Sequence, residues 1–217
     1  MLRIKIRTNS WVKKRKTTRK VRENYPWPFD LFIREIKEQC IMAIIAVEDL
    51  NKLASIKPLD NSRFWYSIHG FLSATANISK LLSFSEFSYR KGKPLAPYKE
   101  RNKTLKKILR CYCRVDSKSI IIQRKFRNHY EHYDERLFEW AVNDKSVMME
   151  YRIGTPEMLR SQFNLPKSVS IKPLKCFDPS TFSLLCYDET LNINEMIEEI
   201  EKIKRRTEIF DKIRFRT

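Results

Sequence analysis

With 217 residues, 42% hydrophobic and 32% charged, the chain is long enough to bury a full core and too apolar for a disordered segment. Only 3 glycines argue against turn-rich β structure and for helix. The formal net charge of +18 points to a polyanionic partner, nucleic acid ahead of an acidic membrane surface.

Half of that excess lies in residues 1–24, where ten basic side chains face one acid, Glu23. Residues 1–28 therefore read as a basic arm, with Lys13, Lys14, Arg15 and Lys16 its densest cluster; the competing reading is a solvated tail without a partner. Five cysteines are odd in number, and Cys111-Tyr-Cys113 lacks metal-ligand spacing, so free thiols and no metal site are expected. The longest apolar run, residues 40–47, is too short to span a bilayer, and no apolar stretch follows the basic start as in a secretory signal. Residues 1–22 lack acids, as a mitochondrial presequence would, but hold one serine; the expected location is the cytoplasm.

Tyr25-Pro-Trp-Pro28 reads as non-helical punctuation. From Phe29 to Ile56, Leu31, Phe32, Ile36, Cys40, Ala43, Ile44, Val47, Leu50 and Leu53 recur at steps of three and four, predicting a long amphipathic helix that ends at Lys57-Pro58. Asp60-Asn-Ser62 offers caps for a second helix, Phe64–Leu82, apolar nearly all round. Residues 90–97 read as a loop, Tyr98–Cys113 as a basic helix, Val115-Asp-Ser117 as a turn, and Ser119–Val142 as a fourth helix. Beyond it, Val147–Ile153 reads as a strand. Ile171–Phe177 and Thr181–Tyr187 form a hairpin about Asp178-Pro-Ser180, and Ile193–Ile213 is a charged amphipathic helix. The expected architecture is mainly α: a helical bundle over 29–142, with a β-hairpin and final helix over 143–217 as an appendage.

Two of three histidines lie in Arg124-Lys-Phe-Arg-Asn-His-Tyr-Glu-His132. On a wheel of about 100° per residue, Phe126, Tyr130, Tyr133, Leu137, Trp140 and Ala141 form a core-facing stripe. Asn128 and His132 project from roughly the opposite face, with Ile121 nearby, while His129 flanks the stripe as a partly buried imidazole. Packing does not account for His132; a solvated face or a site does. Imidazole moves protons, a guanidinium clamps phosphate with planar donors, and an amide orients what lies between. Arg127, Asn128 and His132 thus suit attack of a ribose 2′-hydroxyl on its neighbouring phosphate, where fixed positive charge stabilises the transition state.

Arg127-Asn-His-Tyr-Glu-His132 resembles the Arg-x4-6-His motif of HEPN domains, with Asn128 as the polar residue that follows the arginine. Tyr133-Asp-Glu-Arg-Leu-Phe-Glu-Trp140, Phe71-Leu-Ser-Ala-Thr-Ala-Asn-Ile-Ser-Lys80, Tyr151-Arg-Ile-Gly154 and Phe177-Asp-Pro179 are similar to a group of bacterial HEPN-like proteins, extending the resemblance over roughly 29–205. The resemblance implies an up-down helical bundle that homodimerises, pairing two motifs into a metal-independent endoribonuclease without a cofactor. By position, Arg127 would contact the scissile phosphate, His132 would handle the proton and Asn128 would position them. An outward face bearing Asn128, His132 and Ile121 fits coverage by a second subunit. Some two-component toxins of the family carry, two places after the histidine, a tyrosine modified by an antitoxin. Asp134 stands there in this chain, beside Tyr133, which puts that form of control by an antitoxin protein in doubt.

Ser73 and Asn77, four apart on the second helix, line the same cleft or are satisfied core polars. Arg101, Lys103, Lys106, Lys107 and Arg110 join the arm as phosphate-binding candidates. The competing functions are a non-catalytic RNA- or nucleotide-binding module and a dimeric interaction protein.

Overall fold

The computed structural model of the chain describes residues 26–83, 95–123, 125–143 and 146–214; the arm cluster Lys13, Lys14, Arg15 and Lys16 lies outside them. Helix α1 spans Pro26–Ser55 and so begins at the prolines that were expected to exclude helix. The first turn of a helix has no intrahelical acceptor for its N–H groups, so proline costs nothing there. Helix α2, Asn61–Leu82, starts as its sequence requires: the Asp60 side chain caps it by accepting from the Arg63 N–H at 3.0 Å. Helix α3, Leu95–Cys113, takes in Pro97, another first-turn proline, where a loop was expected. Arg114 then turns into the left-handed region with φ 57°, and the Val115 N–H returns to the Arg110 carbonyl at 2.9 Å, closing the helix.

The expected fourth helix is shorter and divided. Residues 119–122 form turns, helix α4 covers Lys125–Glu131, and helix α5 covers Tyr133–Asn143, with a one-residue break at His132. The helical wheel therefore does not reach Ile121. That side chain is 2% exposed in the chain's own core instead of facing outward. The Ser119 hydroxyl bonds the Ile121 N–H at 3.3 Å and donates to Glu199 at 2.8 Å, which favours a turn over a helical start.

After the helices come strand β1 (Val147–Ile153), helix α6 (Pro156–Gln162), strands β2 (Ile171–Asp178), β3 (Ser183–Cys186) and β4 (Glu189–Asn192), and helix α7 (Ile193–Arg214). The expected hairpin is β2–β3, antiparallel across Phe177 and Leu184. β4 extends it, and β1 pairs with β2 in parallel through the α6 crossover, giving one sheet ordered β1-β2-β3-β4.

The segment read as an appendage shares the bundle's core. Phe29 of α1, Tyr112 of α3 and Phe210 of α7 pack edge to face with ring centroids 5.6–5.9 Å apart. Lys37 of α1 donates to Asp211 of α7 at 2.6 Å. On the sheet side, Phe177 of β2 meets Phe64 of α2 at 5.0 Å and Phe182 at 5.3 Å, all within one continuous apolar cluster. Fully burying each such ring contributes roughly 1.5–3 kcal/mol, so the two halves stabilise each other. The chain is mostly helical with a small four-stranded sheet and a closing helix. Among the described residues, no helix is long and apolar enough to cross a membrane.

Candidate functional site

Helix α4 is held against α2 by Phe126, which faces Leu72 and Ala76 across a small cleft also lined by Ile121 and Met196. Phe126 alone of the expected stripe is buried, at 9% exposure. Tyr130, Leu137 and Trp140 are half-buried, while Tyr133 and Ala141 are exposed. Two polar contacts complete the seam: Lys80 with Glu131 at 3.3 Å, and the Tyr130 hydroxyl 3.0 Å from His69 Nε2.

Asn128 and His132 lie on the solvent side of this helix pair, one turn apart and both exposed; the His132 N–H bonds the Asn128 carbonyl at 3.0 Å. The His132 side chain is 56% exposed, and its Nδ1 sits 3.2 Å from a carboxylate oxygen of Glu135. A carboxylate only accepts, so this contact favours the neutral tautomer with the proton on Nδ1 and leaves Nε2 as the acceptor. Sequence reasoning passed over Glu135, although its i+3 spacing from His132 was the available signal. Arg127 belongs to α4, directly before Asn128, but its side chain and that of His129 lie outside the described residues.

Ser73 and Asn77 are exposed and therefore not core polars. The Asn77 amide donates to Gln39 of α1 at 3.2 Å, and Gln39 donates to Glu35 at 2.8 Å. Gly70 meets Ala46 of α1 across 3.9 Å from a built Cβ, whereas His69 and Lys80 reach α4. Ser73 thus lies on the open strip of α2 between its two helical neighbours. Tyr66, about two turns before Ser73 on α2, is exposed, as are Met42 and Ile45 of α1.

The described cations of the basic helix α3 differ in exposure. Lys103 and Lys107 are exposed and four apart, Lys106 is half-buried, and the side chain of Arg101 lies outside the described residues. The Arg110 Nε is engaged, donating to the Leu82 carbonyl at 2.9 Å as a C-terminal cap at the end of α2, which leaves the guanidinium's outer N–H groups as its donors toward an anion.

Behind the motif lies a cluster absent from the sequence reading. Tyr151 occupies a β-bulge, skipped in the β1–β2 register, with φ 54°. Its ring is thereby turned toward Trp65 at 5.3 Å, His69 at 6.5 Å and Lys175. Burial, then the Lys175 charge, hold the His69 pKa below the ordinary imidazole range, and burial raises that of Tyr130. A neutral His69 is the acceptor that a protonated Tyr130 hydroxyl needs. The one available signal was Lys175 itself, a lysine sharing a strand face with Phe177.

All five cysteines are free. Cys111 is exposed; burial pushes Cys176 up to about 11 and Cys113 and Cys186 up to about 12. No group of three or more His, Cys, Asp or Glu side chains among the described residues is arranged to hold a metal ion. Comparison with protein-family models, curated proteins and solved structures finds no match to this chain.

Proposed function

We propose that the chain is a metal-independent endoribonuclease of HEPN type, a cytoplasmic homodimer acting as a toxin or defence effector. The observation that carries this reading is the exposed pair Asn128 and His132 one turn apart, with Glu135 on Nδ1 of His132. The His132 side chain is 56% exposed, so a ribose 2′-hydroxyl can reach it. In the reaction the 2′-O–H gives up its proton, the 2′-oxygen bonds to the adjacent phosphorus and the P–O5′ bond breaks. The departing 5′-oxygen takes a proton, leaving a 2′,3′-cyclic phosphate and a 5′-hydroxyl. His132 is the proton-handling group, Arg127 the phosphate clamp and Asn128 the orienting amide. Exposed apolar side chains on α1 and α2, Met42, Ile45 and Tyr66, are compatible with a second copy docking on these helices.

The test is a cleavage assay on single-stranded RNA in EDTA with the wild type, Arg127→Ala, Asn128→Ala and His132→Ala, with identification of the end groups. Cleavage retained by His132→Ala removes the proposal. The second reading, a non-catalytic RNA-binding module, is favoured by exposed Lys103 and Lys107 on one face of α3. RNA binding that falls steeply with salt, is indifferent to Arg127→Ala and is accompanied by no cleavage is its signature.

A further inference from the structure

Lys175 projects from β2 into the underside of the motif helices and is only 1% exposed. A buried ammonium is costly unless each of its donors is met. Here the Nζ donates to the Tyr151 hydroxyl at 3.0 Å, pairs with Glu150 at 3.5 Å, and sits 3.4 Å from the centroid of the Tyr133 ring. The rings of Tyr151 at 4.7 Å and Tyr130 at 5.7 Å complete an aromatic box within cation–π range. Packing alone does not require the charge, because a methionine would fill the same volume.

The origin of these rings gives the charge a purpose. Tyr130 comes from α4 and Tyr133 from α5, on either side of the single-residue break at His132. One ammonium therefore holds both helices at their joint, and β2 fixes the ammonium. The joint determines where the His132 ring and Asn128 stand relative to each other. We propose that Lys175 is a positioning residue, a cation–π anchor that sets the α4–α5 joint and through it the orientation of His132. The proposal rests on the ribonuclease reading for its kinetic consequence but not for its structural one. Lys175 touches no substrate and acts through Tyr130 and Tyr133.

The experiment uses the full chain and three variants. Lys175→Met keeps the stem and removes the charge, Lys175→Arg keeps the charge, and Tyr151→Phe removes only the hydroxyl that holds the ammonium. Two readouts are taken: single-turnover RNA cleavage with separate RNA affinity, and the NMR cross-peaks of the His132 ring, assigned with His132→Ala. Lys175→Met is expected to lower the cleavage rate by roughly tenfold to a hundredfold, as small misplacements of reacting groups do, with RNA affinity within about twofold. The His132 cross-peak shifts or broadens, and Lys175→Arg restores a substantial part of both. A normal rate together with an unmoved His132 peak in folded Lys175→Met overturns the anchor, as does a loss confined to RNA affinity. If the wild type does not cleave RNA, the ribonuclease reading fails and the His132 peak alone decides the anchor. If Lys175→Met does not fold, Tyr151→Phe must displace the same peak, and an unmoved peak overturns the proposal.

Discussion

Phe177→Ala separates a shared core from a bundle with an appendage. Phe177 is 2% exposed on β2, and its ring meets that of Phe64, 1% exposed on α2, at 5.0 Å and 66°. Truncating a buried phenylalanine costs about 3–5 kcal/mol, through lost transfer energy and the cavity left behind. A chain of this size shifts its melting point by about 2–4 °C per kcal/mol. The melt is therefore expected to fall by roughly 6–20 °C. The decisive feature is which signals fall together. Far-ultraviolet circular dichroism reports the helices, and tryptophan fluorescence includes Trp65, whose ring is 6.2 Å from that of Phe64. If α1, α2 and the sheet share one core, both probes move by the same amount in urea. A cycle of Phe64→Leu and Phe177→Leu should return a coupling of about 0.5–1.5 kcal/mol. A helical transition that stays in place while the fluorescence changes, or a coupling near zero, would show that the helices and the sheet do not share one core.

Thiol labelling of the native protein should modify Cys111 rapidly and leave Cys40, Cys113, Cys176 and Cys186 protected until unfolding, because these four are buried with thiols pushed up; mass spectrometry counts the adducts. Burial pushes the Asp178 carboxyl up, but hydrogen bonds from Ser180 and Thr181 outweigh it and hold the group below its ordinary value of 3.8. Its contribution is thus present above about that pH and lost as pH falls through the lower folded value. Asp178→Asn should cost about 1–2 kcal/mol at neutral pH and less in strong acid, read by urea titration at both pH values. Asp60→Ala removes the α2 cap and should cost ~1 kcal/mol without changing RNA cleavage, a control that separates stability from activity.

Much of the architecture was legible because it is written in local periodicity. The α1 and α2 stripes, the Asp60 cap, the span of β1 and the hairpin about Asp178-Pro-Ser180 each depend on neighbours a few residues apart. The misreadings have particular causes. Pro26, Pro28 and Pro97 read as breakers in the sequence, although a helix tolerates proline in its first turn. The register of Ile121 was extrapolated along a helix that Ser119 replaces with turns. β4 is four residues long, and the parallel β1–β2 pairing needs a partner about two dozen positions away, beyond any local pattern. The same limit hid the Lys175 box, whose rings come from α4, α5 and β1. In the candidate site, the exposure of Asn128 and His132 followed from the wheel, while Glu135 was reachable only by asking what sits one turn beyond the histidine.

The most direct measurement follows a labelled RNA and its 2′-O-methyl counterpart in EDTA with the wild type and His132→Ala. The wild type is expected to cut only the unmodified strand, to 2′,3′-cyclic phosphate ends, with His132→Ala slower by about a hundredfold or more. Cleavage of the methylated strand, or equal cleavage of RNA by both proteins, would contradict ribonuclease action through His132.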